Sequence, residues 1–265
     1  MDLGFTDATA VVVGGGRGMG LAVARCLAEE GARVAVLART PSDLERAVAD
    51  LTASGSPDAV GLIADVRDQA RVIEVFVELG QRWDGRLNVL VNAAGPNVQG
   101  DFETLTDEQW QAGFDDGVMG MVHTVRAALP LLREADWARV VNFSAGSTQR
   151  QSVRLPAYTA AKAMVTSISK NLSLYLAPDE ILVNVISPGS VASDSLIAWA
   201  QSVGVDSDDP YQLMAAIDKH FGHPAHLPRA GLPDEIARVA TFLASRANSY
   251  MTGANVNVDG GTDFT

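Results

Sequence analysis

The sequence predicts a doubly wound α/β fold around one parallel sheet, and three observations carry that expectation. Short apolar runs rich in Val and Ile recur along the chain, helical patterns alternate with them, and a glycine-rich turn joins the first run to the first helix. The runs Ala8 to Val13, Val34 to Leu37, Ala59 to Ile63, Leu87 to Val91, Val140 to Phe143, Ile181 to Ile186 and Asn255 to Val258 read as buried strands. Helical periodicity covers Met19 to Glu30, Ser42 to Ser54, Asp68 to Arg82, Asp107 to Arg133, Tyr158 to Leu176 and Pro233 to Ser245. Strands joined through helices must run parallel, because each return crossing consumes a dozen or more residues. The expectation is one seven-stranded parallel sheet with helices on both faces. No linker, repeat or charge block divides the chain, so residues 1–265 read as one domain. The one long irregular stretch, Ser187 to Leu232, falls beyond the carboxyl ends of the strands, where such sheets bind ligands, and reads as a substrate lid.

Composition narrows the classes of partner. With 20 Lys plus Arg against 32 Asp plus Glu, the formal charge is −12, which disfavours nucleic acid. The 47% hydrophobic content suits a large core and excludes a disordered tail. The N-terminus MDLGFTDATA lacks a basic stretch followed by an apolar run, and no segment approaches the roughly 18 uncharged apolar residues of a membrane span, so a cytoplasmic protein is expected. The single cysteine, Cys26, reads as a helix thiol packed in the core rather than a nucleophile.

The segment Val11 to Gly20, reading VVVGGGRGMG, runs from strand to helix. Glycines there let the backbone turn tightly and approach a pyrophosphate at the positive end of a helix, which points to a dinucleotide. A cluster of glycines could equally serve a turn needing positive φ; its place between a strand and an apolar helix favours the nucleotide. An acidic residue at the end of the second strand would accept hydrogen bonds from a ribose 2′-hydroxyl and repel a 2′-phosphate. Here Ala38 stands there, Arg39 follows, and Arg17 lies in the glycine turn. Two guanidiniums without a carboxylate favour NADP(H), with NAD(H) as the alternative.

Tyr158-Thr159-Ala160-Ala161-Lys162 opens a long helix, and the four-residue spacing puts Tyr158 and Lys162 on one face. Chance would produce such a pair in a chain of this composition about 5% of the time. The chemistry has a purpose: a free phenol titrates near pH 10, and a nearby ammonium favours the phenolate, so the tyrosine can exchange a proton with a substrate oxygen.

With these residues in place, the chain resembles a classical short-chain dehydrogenase/reductase over essentially its whole length, and among them the 3-oxoacyl-acyl-carrier-protein reductase-like members. Gly14, Gly18 and Gly20 match the family's Gly-x-x-x-Gly-x-Gly; Asp65 in Ala64-Asp65-Val66 matches its adenine-side acid; Asn92-Ala93-Ala94-Gly95 matches its Asn-Ala-Gly signature. Tyr158 and Lys162 match its active-site pair, and Ser187-Pro188-Gly189 with Val191 and Ser193 resembles the turn that fixes the nicotinamide carboxamide. Arg229 to Ala237 and Val258-Asp259-Gly260-Gly261 resemble its C-terminal pattern. The resemblance implies a Rossmann-type ketoreductase whose cofactor meets Gly14, Gly16, Arg17, Gly18, Met19, Arg39, Asp65, Val66, Asn92, Ala93, Ala94, Gly95, Tyr158, Lys162, Pro188, Gly189, Val191 and Ser193. It implies hydride exchange between nicotinamide and a small-molecule carbonyl or alcohol, no metal, and a homotetramer or homodimer.

Three positions depart from that pattern. Ala145 stands where the family's substrate-orienting serine is expected, 13 residues before Tyr158; either neighbour, Ser144 or Ser147, could replace it, and Ser144 is favoured. Gly117 stands where an asparagine usually helps hold a water that connects the lysine to solvent, which implies another proton route or added room for substrate. Val13 replaces the threonine before the first glycine. The contrasting reading is a nucleotide-binding relative that has lost its chemistry and acts through a protein partner. His220, His223 and His226 have a spacing that could ligate a metal, but Pro224 interrupts the helix and lid residues are the preferred reading. Arg150 and Arg154 are placed to meet a carboxylate or phosphate on a substrate, or solvent. Trp199, Tyr211, Leu213, Met214 and Phe221 give the lid an apolar character, which points to a hydrophobic or acyl substrate.

Overall fold

The computed structural model describes residues 2–222 and 224–262. Its strands are β1 (Thr9–Val13), β2 (Arg33–Ala38), β3 (Ala59–Ile63), β4 (Val89–Asn92), β5 (Ala138–Phe143), β6 (Ile181–Pro188) and β7 (Asn255–Val258), paired in the order β3-β2-β1-β4-β5-β6-β7. Every pairing is parallel. The central strands are buried along their whole length and mostly apolar, because helices cover both faces. The outer strand β7 alternates exposed and half-buried residues, as befits an edge.

The helices α1 (Gly18–Glu29), α2 (Pro41–Ala53) and α3 (Gln69–Arg82) follow the first three strands. Asp68 caps α3 by accepting from the Arg71 amide, and proline opens α2, where its missing N–H costs nothing. Cys26 lies partly buried on α1, and burial pushes its thiol pKa up. The expected helix Asp107 to Arg133 is divided: α4 (Asp107–Phe114) runs into a π-helical segment, Asp115–Met119, and then α5 (Gly120–Glu134). The wider turn is centred on Gly117, whose lack of a side chain lets two other elements approach it. The helix α6 (Pro156–Tyr175) starts two residues before Tyr158, with proline in its first turn. The stretch expected to be irregular instead contains α7 (Asp194–Ser202) and α8 (Pro210–Phe221), and α9 (Pro233–Ala244) follows. Periodicity missed these because Gly204 and a proline-rich connection interrupt the pattern and α7 gives fewer than three turns.

A chain of buried polar side chains ties the middle of the sheet to the helices on one face. Thr124 of α5 donates to Asn92 Oδ1 at 2.7 Å, Asn92 donates to Asn142 Oδ1 at 2.8 Å across the β4–β5 register, and Asn142 donates to Ser169 of α6 at 2.9 Å. Each group has a partner, so the network is affordable in the core and fixes α5 and α6 against the strands at one height. Replacing Thr124 by Val keeps the shape but leaves the Asn92 carbonyl buried without its donor. Thr124→Val is expected to destabilise the protein by about 1–3 kcal/mol, read as a lower urea midpoint; an unchanged midpoint would show that water replaces the hydroxyl.

Candidate active site

Strand order reverses between β1 and β4, so the connections leaving their carboxyl ends separate and open a crevice. Three backbone hydrogen bonds shape its floor: Gly14 N–H donates to Leu37 O at 2.8 Å, and the amides of Ala93 and Ala94 both donate to Val13 O, at 2.9 and 3.0 Å. The glycine turn and the Asn92 to Gly95 segment are therefore one unit. Gly14 sits at φ +79°, and a Cβ on it would stand 2.7 Å from the Ala94 nitrogen, so only glycine fits. The N-terminus of α1 receives no side-chain cap, which leaves its first amides for an anion. Gly18 there, at φ +56°, faces open space.

Arg17 and Arg39 are exposed, and neither side chain has a hydrogen bond or ion pair among the described residues. Asp65 is tied up: Arg67 Nη2 lies 2.6 Å from its carboxylate, which holds the group below the usual carboxylate range. Arg67 reaches Asp116 as well, at 3.4 Å. Any adenine amine would share Asp65 with this arginine. Val66 donates no side-chain bond but its carbonyl meets His123 Nδ1 at 2.8 Å, and its methyl lies against Gly120. The Asn92 carboxamide is committed to the buried chain described above.

Tyr158 and Lys162 do share one face of α6, with the Lys162 amine 6.0 Å from the centre of the Tyr158 ring. The amine is buried, donates to Phe143 O at 2.7 Å, and lies so close under Gly95 that a Cβ there would be 2.7 Å from Nζ. Burial pushes Lys162 down to about 8 and Tyr158 up to about 12. This corrects the expectation of a phenol lowered by its neighbour. The amine is turned to a backbone carbonyl, and desolvation dominates both groups.

The structure also corrects the assignment of Ser144. Its hydroxyl donates to Lys162 O at 3.0 Å and accepts from Thr166 at 2.8 Å. Side chains alternate along a strand, and Ser144 follows Asn142 on the face that meets α6. It is a buried tie between strand end and helix. Ser147, in the 3-10 turn Gly146–Thr148, is only partly buried and has one long contact, 3.5 Å to Thr159. At Gly117 the expected spare room is filled: a Cβ there would meet Pro96 Cδ at 3.0 Å and the Ala161 methyl at 3.1 Å. Pro96 was not anticipated as part of the site; its position directly after Asn92 to Gly95 was the signal.

The remaining cofactor candidates lie where β6 ends. Gly189 donates to Val258 O at 3.1 Å, and a Cβ on it would stand 2.7 Å from Asp259 Cα. Pro188 O lies beside Gly146, Val191 bridges to Gly231, and Ser193 precedes α7 without capping it. The lid candidates divide. Leu213 and Met214 are buried in a cluster of the lid's own, with Ala200, Ile217, Ala225 and Ala230, and Trp199 stacks on Phe221 at 5.2 Å and meets His220 edge-on at 5.8 Å. Most of the apolar character there serves the lid's own packing, while Tyr211 stays exposed. His223 lies outside the described residues, and no metal-ligating cluster occurs among the described ones. Arg150 donates to Thr262 O at 2.8 Å, and Arg154 pairs with Asp101 at 2.9 Å, so both arginines already have partners.

A doubly wound parallel sheet with a glycine crevice at its switch point and a Tyr-x-x-x-Lys helix beside it defines a class of dinucleotide-dependent oxidoreductase. The comparisons give the family. A family profile described as "Enoyl-(Acyl carrier protein) reductase" matches residues 13–263. The 2,3-dihydro-2,3-dihydroxybenzoate dehydrogenase of Bacillus subtilis is 31% identical over 258 residues, 97% of each chain. A Streptomyces virginiae protein named monensin polyketide synthase putative ketoacyl reductase is 35% identical over 259 residues, again 97% of each. The L-sorbose reductase of Gluconobacter frateurii, solved with NADPH and L-sorbose, superposes with a TM-score of 0.93 at 28% identity, covering 100% of both chains. The chain belongs to the classical short-chain dehydrogenase/reductase family and is an oxidoreductase acting on CH–OH and C=O groups.

The two serines separate in a paired experiment. Ser144→Ala is expected to lower stability by about 1 kcal/mol with little change in kcat. Ser147→Ala is expected to lower kcat by about 10² to 10³. A kcat loss confined to Ser144→Ala would return the role to Ser144.

Proposed function

We propose that this protein is an NADP(H)-dependent carbonyl reductase acting on compounds with a hydrophobic or acyl portion. The observation that carries the cofactor reading is the pair of exposed, unpaired guanidiniums, Arg17 and Arg39, with Ala38 in place of an acid at the end of β2. A planar guanidinium fork complements a 2′-phosphate, and no carboxylate stands there to hold a bare ribose. The residues suit a dinucleotide: uncapped amides at α1, open space at Gly18, and an exposed Gly95 above Lys162. Bound NADPH supplies hydride to the carbonyl carbon, or NADP accepts it in the reverse sense.

Tyr158 gives its proton to the carbonyl oxygen as the carbon is reduced, and takes it back when an alcohol is oxidised. Lys162 in its ammonium form holds the nicotinamide ribose and, turned from Phe143 O towards the phenol, offsets the phenolate charge left behind. Ser147 orients the oxygen in place of the serine absent at Ala145. Because the lid's large apolar residues serve its own core, the hydrophobic-substrate reading rests on the rim instead. Phe102 (73% exposed) and Val153 (83% exposed) sit on the two loops joined by Gly100 N–H to Arg154 O and by the Arg154–Asp101 pair. We also propose the segment 187–232 as the lid, the chain as one domain, and a homotetramer or homodimer. No helix among the described residues is long and apolar enough to cross a membrane.

The test follows NADPH and NADH consumption against ketones, quinones and 3-oxoacyl thioesters with wild type, Tyr158→Phe and Arg39→Ala. Tyr158→Phe is expected to keep NADPH binding and lose turnover. Arg39→Ala is expected to weaken NADPH by roughly 10- to 100-fold, the loss of one charge-assisted contact, and to leave NADH nearly unchanged. Tighter binding of NADH than NADPH by wild type would overturn the cofactor reading, and turnover by Tyr158→Phe the role of the phenol.

A further inference from the structure

Two glycines of the α4 to π segment face two alanines of α6 at the same spacing. Gly113 lies opposite Ala157, where a Cβ would be 3.7 Å from the alanine methyl, and Gly117 lies opposite Ala161. The loop leaving β4 closes this seam from the side: Val98 reaches Gly113, and the ring of Pro96 sits with Ala161 over the bare backbone of Gly117. Ala157 and Ala161 are the residues immediately before Tyr158 and Lys162. Pro96 itself is buried, whereas Gly95, the residue that touches the Lys162 amine, is exposed. The lysine is thus buried with its amine against the exposed Gly95, and the Pro96–Ala161 contact falls on the residue that precedes it on α6.

We infer that Pro96 is a positioning residue for the Tyr158–Lys162 pair: with Ala161 it seals the π turn at Gly117, keeps the inner side of Lys162 dry, and leaves the crevice over Gly95 as the lysine's route to water and protons. The inference rests on the reading of Tyr158 and Lys162 as the reacting pair. Steric fit supports it, since a Cβ at 117 would press on the proline ring at 3.0 Å and on the Ala161 methyl at 3.1 Å, so that one of them would have to give way. Proline also fixes its own φ and holds the preceding residue extended, so Gly95 is kept in place against the amine. The charges nearby point elsewhere. On α6 and the elements packed against it the titratable groups are Tyr158, Lys170 and Tyr175 on α6, Asp107 and Glu108 on α4, Asp115 and Asp116 on the π turn, and Arg139 on β5; Asp115 accepts from Gln111 and Asp116 faces Arg67. No carboxylate accounts for the state of the lysine, and burial alone lowers it.

The experiment needs neither substrate nor cofactor, so it can fail independently of the proposed function. Lys162, Lys170 and Lys219 are labelled competitively with acetic anhydride across a pH series and the label is read peptide by peptide. In wild type the labelling of Lys162 is expected to titrate near 8, the value set by burial. In Pro96→Ala its midpoint should rise by roughly one unit as water enters, while Lys170 and Lys219 keep theirs. Pro96→Val, which refills the space, should restore the wild-type midpoint. A second arm reads melting temperature: Gly117→Asn should lower it, and the double variant Pro96→Ala with Gly117→Asn should recover part of the loss. A Lys162 midpoint unmoved in folded Pro96→Ala, or a double variant no more stable than Gly117→Asn alone, would overturn the inference.

Discussion

The carbonyl of Val13 is the point on which the site depends. It accepts from two successive amides, Ala93 and Ala94, while the next residue, Gly14, donates across to Leu37. These bonds join the ends of β1, β2 and β4 where the strand order reverses, so the phosphate turn and the Asn92 to Gly95 floor cannot move separately. The all-parallel order makes this necessary: right-handed crossovers carry β2 and β3 away on one side and β5 to β7 on the other, and only backbone is left to line the gap between β1 and β4. A side chain on Gly14 would push the two apart.

From that floor Tyr158 and Lys162 are reached through contacts that fix the surroundings of the lysine. Gly95 leaves room for an amine, Phe143 O gives that amine a hydrogen bond, and Ser144 ties the Lys162 carbonyl to the end of β5. The lysine is thus anchored at both ends of its residue, its side chain on one strand-end carbonyl and its backbone on the adjacent hydroxyl. Holding a cation there without a carboxylate is costly, and the cost appears as a lowered lysine; burial of the phenol separately raises Tyr158. A bound ligand that accepts hydrogen bonds from the ammonium relieves part of that cost, so occupancy of the crevice and the protonation of Lys162 are linked.

What could be read from the sequence is what short-range pattern dictates. The strands, the glycine turn and the Tyr158–Lys162 spacing follow from local periodicity, and the observed boundaries differ by a residue or two. Three things escaped. At the π turn, Pro96 arrives against Gly117 from a different loop, a contact no periodicity encodes. The hydroxyl of Ser144 turns to α6 because of the face it inherits from β5, so a shift of one residue in sequence became a change of direction in space. The lid's apolar residues looked free for substrate because nothing in the sequence announced α7 and α8, which use Leu213 and Met214 as a small core of their own.

The departures at Ala145 and Gly117 act together rather than as two separate losses. Each replaces a polar side chain expected beside the reacting groups with an apolar surface, and Pro96 and Ala161 fill one of the spaces that results. Removing a hydrogen-bond donor from the substrate oxygen weakens transition-state stabilisation. Excluding water from the same volume lowers the local dielectric and strengthens each electrostatic interaction that remains, above all that between the Lys162 ammonium and a developing phenolate. On the proposed mechanism, a site with fewer polar groups works through the ones it keeps, the Tyr158 phenol, the Lys162 amine and the Ser147 hydroxyl.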